Sequence, residues 1–320
     1  ILLIDAQTGL LSGKPLVGHT AGIFSIDFNA DGSRLVSASL DKTVILWDTT
    51  TRAPLAVLEH DGPVYSADFS PNDQWIVAGT QSGAVVLWDA ATLKQIASYS
   101  YQSILGPETS KKVVAQAQFN TDSSAIAIQY REDENIYIID AQSGALQMTL
   151  VGHEDFVRDI DFSADGTRLV SVGDDANMIL WDIRPGTPDS QRIIKTYREH
   201  LATIFSVSFS TIDQEEHILS AGADGVIKVW QLQNSEKQDW SVIYTLRAYA
   251  FANDDTILDI EISPVDATQV AAVVNDWTVR GFTLDNDQLL SLAETRLRLN
   301  LDCQSAAPES PEAEICLQQP

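Results

Sequence analysis

Three sets of histidine, serine and aspartate recur along the chain, and these are the residue types of a nucleophilic hydrolase. In such an enzyme the serine hydroxyl attacks a carbonyl, the histidine takes the serine proton and the carboxylate orients the histidine. A tryptophan follows each set, giving His19, Ser37, Asp41 and Trp47; His153, Ser171, Asp175 and Trp181; and His200, Ser220, Asp224 and Trp230. Three separate copies cannot converge on one pocket, so the repetition favours a structural role over catalysis.

The three sets belong to a longer repeat that runs through most of the chain. Its units end at residues 4, 47, 88, 139, 181, 230 and 282, at intervals of about 41 to 52 residues. Within each unit apolar and polar residues alternate with a period of two, and turn residues such as those at 30–33 and 164–167 separate the runs. Alternation bounded by turns indicates about four short antiparallel strands. Four strands per unit of roughly 40 residues are typical of one β-propeller blade.

The motifs at the ends of these units resemble those of the WD40-repeat family over residues 1–290. Complete repeat signatures are Gly18-His19 with Trp47-Asp48 and Gly152-His153 with Trp181-Asp182, and weaker ones are Glu59-His60 with Trp88-Asp89 and Glu199-His200 with Trp230-Gln231. The resemblance implies an all-β, seven-bladed WD40 β-propeller with four-stranded antiparallel blades, the first blade being incomplete. Residues 1–17 would form the last two strands of that blade, and about 25 residues upstream would complete it.

The resemblance also implies roles for the recurring polar residues. In the family the His, Ser, Asp and Trp of each set form a structural hydrogen-bond chain within one blade. Two other positions per blade line the top face of the propeller and contact partners. The first position corresponds to Phe24, Tyr65, Arg158 and Phe205, with Ala115 and Leu258 in the divergent blades; the second corresponds to Leu40, Gln81, Glu132, Asp174, Ala223 and Asn275.

The C-terminal residues differ in character from the repeats. A short helix and an acidic tail containing prolines are expected over 291–320, the helix beginning near residue 289 because apolar residues recur there at helical spacing. Both cysteines, Cys303 and Cys316, lie in this segment. They are either free thiols or bridged to each other, and no histidine lies nearby to complete a zinc site.

Charge and composition narrow the possible partners. The chain carries 20 Lys and Arg against 45 Asp and Glu, a formal net charge of −25. Nucleic acids and anionic membranes are poor partners for such a surface, because both are bound through basic residues. The acidity indicates a soluble, self-repelling surface, a high-salt habitat or a basic partner. No nucleotide, cofactor or metal motif is present, and acidic clusters such as 132–134, 174–175 and 254–255 are interpreted as solvated turns.

These observations predict a non-catalytic scaffold that docks a protein or peptide on the top face of a propeller, in the cytoplasm. The alternative is a sensory domain at the C-terminal end of a larger signalling NTPase, kinase or protease, because the chain also resembles bacterial WD40 arrays placed in that way. That upstream part of the same chain would then be a second partner. A propeller enzyme with its active site in the central channel is a third hypothesis, which requires convergent titratable residues that the sequence does not reveal.

Overall fold

The computed structural model describes residues 1–5, 10–107, 112–212, 215–234, 239–247, 256–262, 269–275 and 278–284. Within them the chain forms six antiparallel sheets that follow one another in sequence order. Five sheets have four strands and the sixth has three, and in every sheet the strands are adjacent in the order in which the chain forms them. Each sheet is therefore a simple up-and-down meander, which is the topology of a propeller blade.

The first three blades comprise residues 23–151. Blade 1 contains β1 (Ile23–Phe28), β2 (Arg34–Ser39), β3 (Thr43–Asp48) and β4 (Pro54–Glu59). Blade 2 contains β5 (Val64–Phe69), β6 (Trp75–Thr80), β7 (Ala84–Asp89) and β8 (Gln95–Ser100), and is followed by the short helix α1 (Tyr101–Leu105). Blade 3 contains β9 (Val114–Phe119), β10 (Ala125–Tyr130), β11 (Asn135–Asp140) and β12 (Leu146–Val151).

The last three blades comprise residues 157–283. Blade 4 contains β13 (Val157–Phe162), β14 (Arg168–Gly173), β15 (Met178–Asp182) and β16 (Ile193–Tyr197), with a short 3-10 helix at Asp189–Gln191. Blade 5 contains β17 (Ile204–Ile212), β18 (Glu215–Gly222), β19 (Val226–Asn234) and β20 (Asp239–Arg247). Blade 6 contains β21 (Ile257–Ile262), β22 (Gln269–Val274) and β23 (Val279–Thr283).

Local turn chemistry sets the hairpins inside each blade. Between β1 and β2 the Gly32 N–H donates to the Asn29 carbonyl oxygen at 2.9 Å, and the Asp31 carboxylate accepts the Ser33 N–H at 2.9 Å. Gly32 has φ +70°, a conformation that glycine adopts without the steric cost a Cβ would add. The hydrophobic core lies between neighbouring blades; Leu46 of blade 1, for example, packs in one cluster with Phe69 of blade 2.

The number of blades differs from the prediction. The described residues form six blades, so the expectation of seven blades with an incomplete first one is wrong. The segment before β1 resembles part of a blade because Ile4 occupies a repeat-end position. In the structure the described residues of this segment form an isolated bridge between Ile4 and Leu11, and Ile1 and Leu16 exchange hydrogen bonds at 2.9 Å. Its Leu16 is buried against Trp47 of blade 1, so the segment packs on an existing blade.

The first strand of blade 1 is also less buried than its counterparts. Ile26 and Phe28 are 50% and 46% exposed, whereas the corresponding Ala67 and Phe69 of blade 2 are 3% and 5% exposed. The helix and tail expected from residue 289 onwards, together with Cys303 and Cys316, lie outside the described residues. The domain boundary at residue 290 therefore stays a prediction.

Candidate protein-docking face

An irregularity at the same point of every blade builds one end of the propeller. The pairing of the first strand with the second skips one residue, which forms a β-bulge. A bulged residue is left outside the ladder, and its side chain is redirected. The residues at the six bulges are Phe24, Tyr65, Ala115, Arg158, Phe205 and Leu258. They are the six residues assigned from the sequence to the first top-face position.

The second top-face position of each blade can be identified by a backbone hydrogen bond that all six blades share. There the residue that follows the second strand donates its N–H to a carbonyl just before the first strand, at 2.8 to 3.0 Å. The donors are Leu40, Gln81, Arg131, Asp174, Ala223 and Asn275. In blade 3 the residue at this position is therefore Arg131 and not Glu132, which the sequence pattern predicts. The blade 3 turn has one extra residue, and Glu132 occupies it with φ +56°.

On this face, aromatic side chains from two blades contact each other and an arginine from a third blade. The rings of Phe24 and Tyr65 pack edge to face, with centroids 5.0 Å apart. The Arg131 guanidinium carbon lies 4.5 Å from the Tyr65 centroid and 5.9 Å from the Phe24 centroid. Edge-to-face ring pairs and cation–π contacts at these distances are both attractive. Three blades therefore contribute to a single cluster of side chains, and sequence reasoning missed Arg131 because the register of the blade 3 turn was displaced by one residue.

A second cluster joins blades 4 and 5. Arg158 donates from Nε to Asp174 Oδ1 at 2.6 Å and from Nη2 to Asp174 Oδ2 at 2.5 Å, a bidentate pair. The Arg158 guanidinium carbon also lies 5.9 Å from the Phe205 ring centroid. The hydrogen bond to Asp174 is the main reason why the pKa of Arg158 is raised above its ordinary value. Arg158 is therefore held in place before any partner binds.

Below this face lies a cavity of about 730 Å³ lined by the first strands of all six blades. Phe24, Tyr65, Arg158 and Phe205 are among its lining residues. The remaining partner-binding candidates from the sequence, which are not among them, are Leu40, Gln81, Glu132, Asp174, Leu258 and Asn275. The structure thus brings the three aromatic residues and Arg158 to the wall of one cavity, and Asp174 is joined to them through its contact with Arg158.

The cavity wall carries carboxylates that sequence reasoning also missed. They are Asp27, Asp68, Asp159, Asp161, Asp259 and Glu261. Three of them precede a phenylalanine at the end of a first strand, an Asp-Phe pair that the sequence repeats at 27–28, 68–69 and 161–162. Within the described part of the chain, no group of His, Cys, Asp and Glu has the arrangement of a metal site.

These carboxylates join consecutive blades. Asp27 accepts a hydrogen bond from the Phe69 N–H at 2.8 Å, Asp68 from the Phe119 N–H at 2.9 Å and Asp161 from the Phe209 N–H at 2.7 Å. In each case the carboxylate belongs to one blade and the N–H to the next. These contacts, which satisfy backbone donors at the inner edges of the blades, give the acids a structural function.

Burial has a strong effect on the ionisation of these acids. It raises the pKa of Asp161 to about 6, although the N–H groups of Phe209 and Phe162 oppose the shift. It raises the pKa of Asp159 to about 7 and that of Glu261 to about 8, with nearby carboxylates adding to both shifts. The mutual repulsion of like charges in a confined cavity acts in the same direction as desolvation.

The recurring histidine sets form hydrogen-bond chains within single blades. In blade 4 the Trp181 Nε1–H donates to Ser171 Oγ at 2.8 Å, Ser171 Oγ is 2.7 Å from His153 Nε2, and His153 Nδ1 is 3.0 Å from an Asp175 oxygen. Since the indole can only donate, the serine hydroxyl donates to Nε2 and the Nδ1–H donates to the carboxylate. Blades 1 and 5 contain the same chain, through His19, Ser37, Asp41 and Trp47 and through His200, Ser220, Asp224 and Trp230.

Burial argues against a nucleophilic role for these three serines. Ser37, Ser171 and Ser220 have no exposed surface. A serine that attacks a substrate must be reachable by it, so these hydroxyls instead serve as partners for the indole N–H groups. Blade 2 has Ala78 at the serine position, and there the Trp88 Nε1–H donates directly to His60 Nε2 at 3.2 Å.

Comparison with known proteins agrees with this architecture. The family model for the WD domain, G-beta repeat, matches four segments of the chain, residues 12–48, 52–89, 144–182 and 191–231. The matched segments include the three complete hydrogen-bond chains and the direct His60–Trp88 pair of blade 2. Together with the sheets of the described residues, these matches show that the chain contains WD40 repeats folded as the blades of a β-propeller.

Several curated proteins are similar to part of the chain. Striatin of Mus musculus is 27% identical over 248 residues, which covers 71% of this chain and 29% of striatin. WD repeat protein iqw1 of Schizosaccharomyces pombe is 37% identical over 92 residues, covering 29% of this chain and 11% of that protein. DDB1- and CUL4-associated factor 5 of Homo sapiens is 28% identical over 137 residues, covering 41% of this chain and 13% of that protein. The chain thus spans less than a third of the length of these relatives, which are all eukaryotic and lend no support to the bacterial resemblance.

One structural observation bears on membranes. No helix in the described ranges is long and apolar enough to cross a bilayer.

Proposed function

We propose that the protein is a non-catalytic scaffold that docks a protein or peptide on the face formed by the bulges of its blades. The observation that supports this proposal most strongly is the position of Phe24, Tyr65, Arg158 and Phe205 around the opening of one cavity. Aromatic residues and arginine supply most of the binding energy in protein interfaces, where they occur as central anchors. Phe24 is 51% exposed, so a partner would remove a large apolar surface from water.

The bidentate contact between Arg158 and Asp174 supports the same site. A side chain that is already ordered loses less conformational entropy when a partner binds. Arg158 lies between the Asp174 carboxylate and the Phe205 ring, so its position is fixed from two sides. The alternative function, a sensory domain of a larger signalling protein, stays a prediction, as does the cytoplasmic location.

The experiment is a selection of random peptides displayed on phage against the immobilised protein. Selected peptides are then tested by fluorescence anisotropy against a double variant, Arg158→Glu with Phe205→Ala, and against a control on the outer strands, Leu55→Ala with Ile96→Ala. The control residues are both 50% exposed and belong to the outer strands β4 and β8. Loss of two anchors weakens binding by roughly a hundredfold. Peptides that bind the double variant as tightly as the unchanged protein would refute the site.

A further inference from the structure

Arg131 differs from Arg158, the arginine of the second cluster, in having no anionic partner among the residues that the structure describes. Arg158 is paired with Asp174, whereas no hydrogen bond or ion pair joins the Arg131 guanidinium to any residue that the structure describes. The chain has more than twice as many acids as bases, 45 against 20, so a cation without a counter-charge is unexpected on its surface. Instead of pairing, Arg131 rests on the rings of Tyr65 and Phe24.

This arrangement leaves the hydrogen-bonding groups of Arg131 available. A guanidinium in cation–π contact with aromatic rings uses none of its five N–H donors as hydrogen bonds in doing so. Two of these parallel N–H groups match the two oxygens of a carboxylate. The contacts with the Tyr65 and Phe24 rings restrict the position of the Arg131 guanidinium before a ligand arrives.

We propose that Arg131 binds the carboxylate of a single Asp or Glu side chain in the docked partner. This inference rests on the proposed function and adds the chemistry of one contact. Net charge restricts the rest of the partner: a chain of charge −25 repels a run of acids, so the residues flanking the recognised acid are neutral or basic. A partner of this kind approaches the acidic protein without long-range repulsion and still satisfies Arg131.

The cavity carboxylates suggest a competing chemistry, in which a basic side chain enters the cavity. Their hydrogen bonds make that less favourable, because Asp27, Asp68 and Asp161 already accept N–H groups from neighbouring blades. A cation would have to compete with those contacts. Arg131 has no such contact to lose, so the structure favours an acid in the partner.

The test uses four pools of fluorescent nonapeptides with neutral flanking residues and a central Glu, Gln, Lys or phosphoserine. Each pool is titrated against the full chain and against Arg131→Gln, Arg131→Lys and Arg198→Gln. Arg198 is the matched control, because it is an exposed arginine that pairs with Glu154. The unchanged protein is expected to bind the Glu pool about tenfold more tightly than the Gln pool, which is the effect of a hydrogen-bonded charge.

The variants separate a specific contact from general charge. Arg131→Gln should abolish the preference for Glu, Arg131→Lys should keep a smaller preference because lysine lacks the fork, and Arg198→Gln should leave it unchanged. All variants replace exposed side chains, so matching thermal unfolding curves confirm that they fold.

Each other outcome overturns the proposal in a distinct way. Equal binding of the Glu and Gln pools removes the carboxylate contact but leaves the docking face intact. Preference for the Lys pool assigns recognition to the cavity acids, and preference for phosphoserine without preference for Glu assigns it to a phosphate. If the unchanged protein binds no pool and the phage selection also yields no peptide, the proposed function fails together with this inference.

Discussion

Replacing Asp161 by asparagine should make the stability of the protein, relative to that of the unchanged chain, increase as the pH rises through the acid range. The asparagine side-chain oxygen can still accept the Phe209 N–H that Asp161 binds at 2.7 Å. The substitution therefore keeps the link between blades 4 and 5 and removes the ionisation of a buried acid. It also places an amide NH2 where Asp161 Oδ1 accepts the Phe162 N–H and the Gln118 amide, a cost that does not depend on pH. Burial is the main reason why the pKa of Asp161 is raised from 3.8 to about 6.

The direction of the pH effect follows from this shift. Below pH 3.8 Asp161 is protonated in both the folded and unfolded states, so its ionisation does not affect stability. Between pH 3.8 and 6 the unfolded chain has released the proton and the folded chain has not, so the free energy of unfolding falls as the pH rises. The shift of about two units corresponds to roughly 3 kcal/mol, which is lost by pH 7.

Thermal unfolding followed by circular dichroism between pH 4 and pH 8 measures this difference. We expect the Asp161→Asn variant to gain roughly 5 °C in Tm relative to the unchanged protein between those limits. Asp165→Asn is the opposite control: burial opposes ionisation there too, but hydrogen bonds from Ser163 and Thr167 outweigh it and lower the pKa of Asp165 to about 2. The Asp165→Asn variant should have a lower free energy of unfolding than the unchanged protein at pH 7, and the difference should be smaller at pH 3. Parallel Tm curves for Asp161→Asn and the unchanged protein would refute the account of the cavity.

Two further predictions concern stability and are measured by urea unfolding. Phe69→Ala should lower the free energy of unfolding by about 3–5 kcal/mol, because Phe69 is only 5% exposed. Phe28 occupies the same position of blade 1 but is 46% exposed, so Phe28→Ala should lower it by less than half as much. Equal losses would mean that β1 is covered in solution. Ser171→Ala should lower the free energy of unfolding by about 1–3 kcal/mol, because it removes the hydroxyl that joins the Trp181 N–H to His153 Nε2 and leaves them, at best, the longer direct contact that Trp88 and His60 make in blade 2. A loss below about 1 kcal/mol would contradict the role of the serine.

The repeat made most of the framework predictable from the sequence. Each hydrogen-bond chain combines residues at fixed spacing, and the alternation of apolar residues reveals the strands without long-range information. The number of blades was not predictable in this way. Ile4 has the same residue type as a true strand end, yet it forms a single bridge with Leu11, since strand pairing depends on neighbours that a local pattern does not contain.

The candidate site was predictable where the blades are regular and failed where a turn changes length. Arg158 and Phe205 follow their histidines by five residues and occupy the bulges, as the family pattern implies. In blade 3 one inserted residue moved the second position from Glu132 to Arg131, which reversed the sign of the charge there. The cavity carboxylates left a visible trace as repeated Asp-Phe pairs, but their convergence is evident only when the blades are arranged around one axis.

The bulge explains how one repeated framework can present different chemistry in each blade. Residues on either side of the bulge are paired with the second strand, and in blades 1, 2 and 4 the acid at the end of the strand is tied to the next blade, so changes there disturb the fold. The bulged residue itself lies outside the ladder and can vary at little cost in stability. Phe24, Ala115 and Arg158 are thus equivalent in backbone geometry and unrelated in chemistry. If the bulge face is the docking site, binding specificity depends on residues that the fold constrains least, and Arg131, carried by the lengthened turn between β10 and β11, follows the same principle.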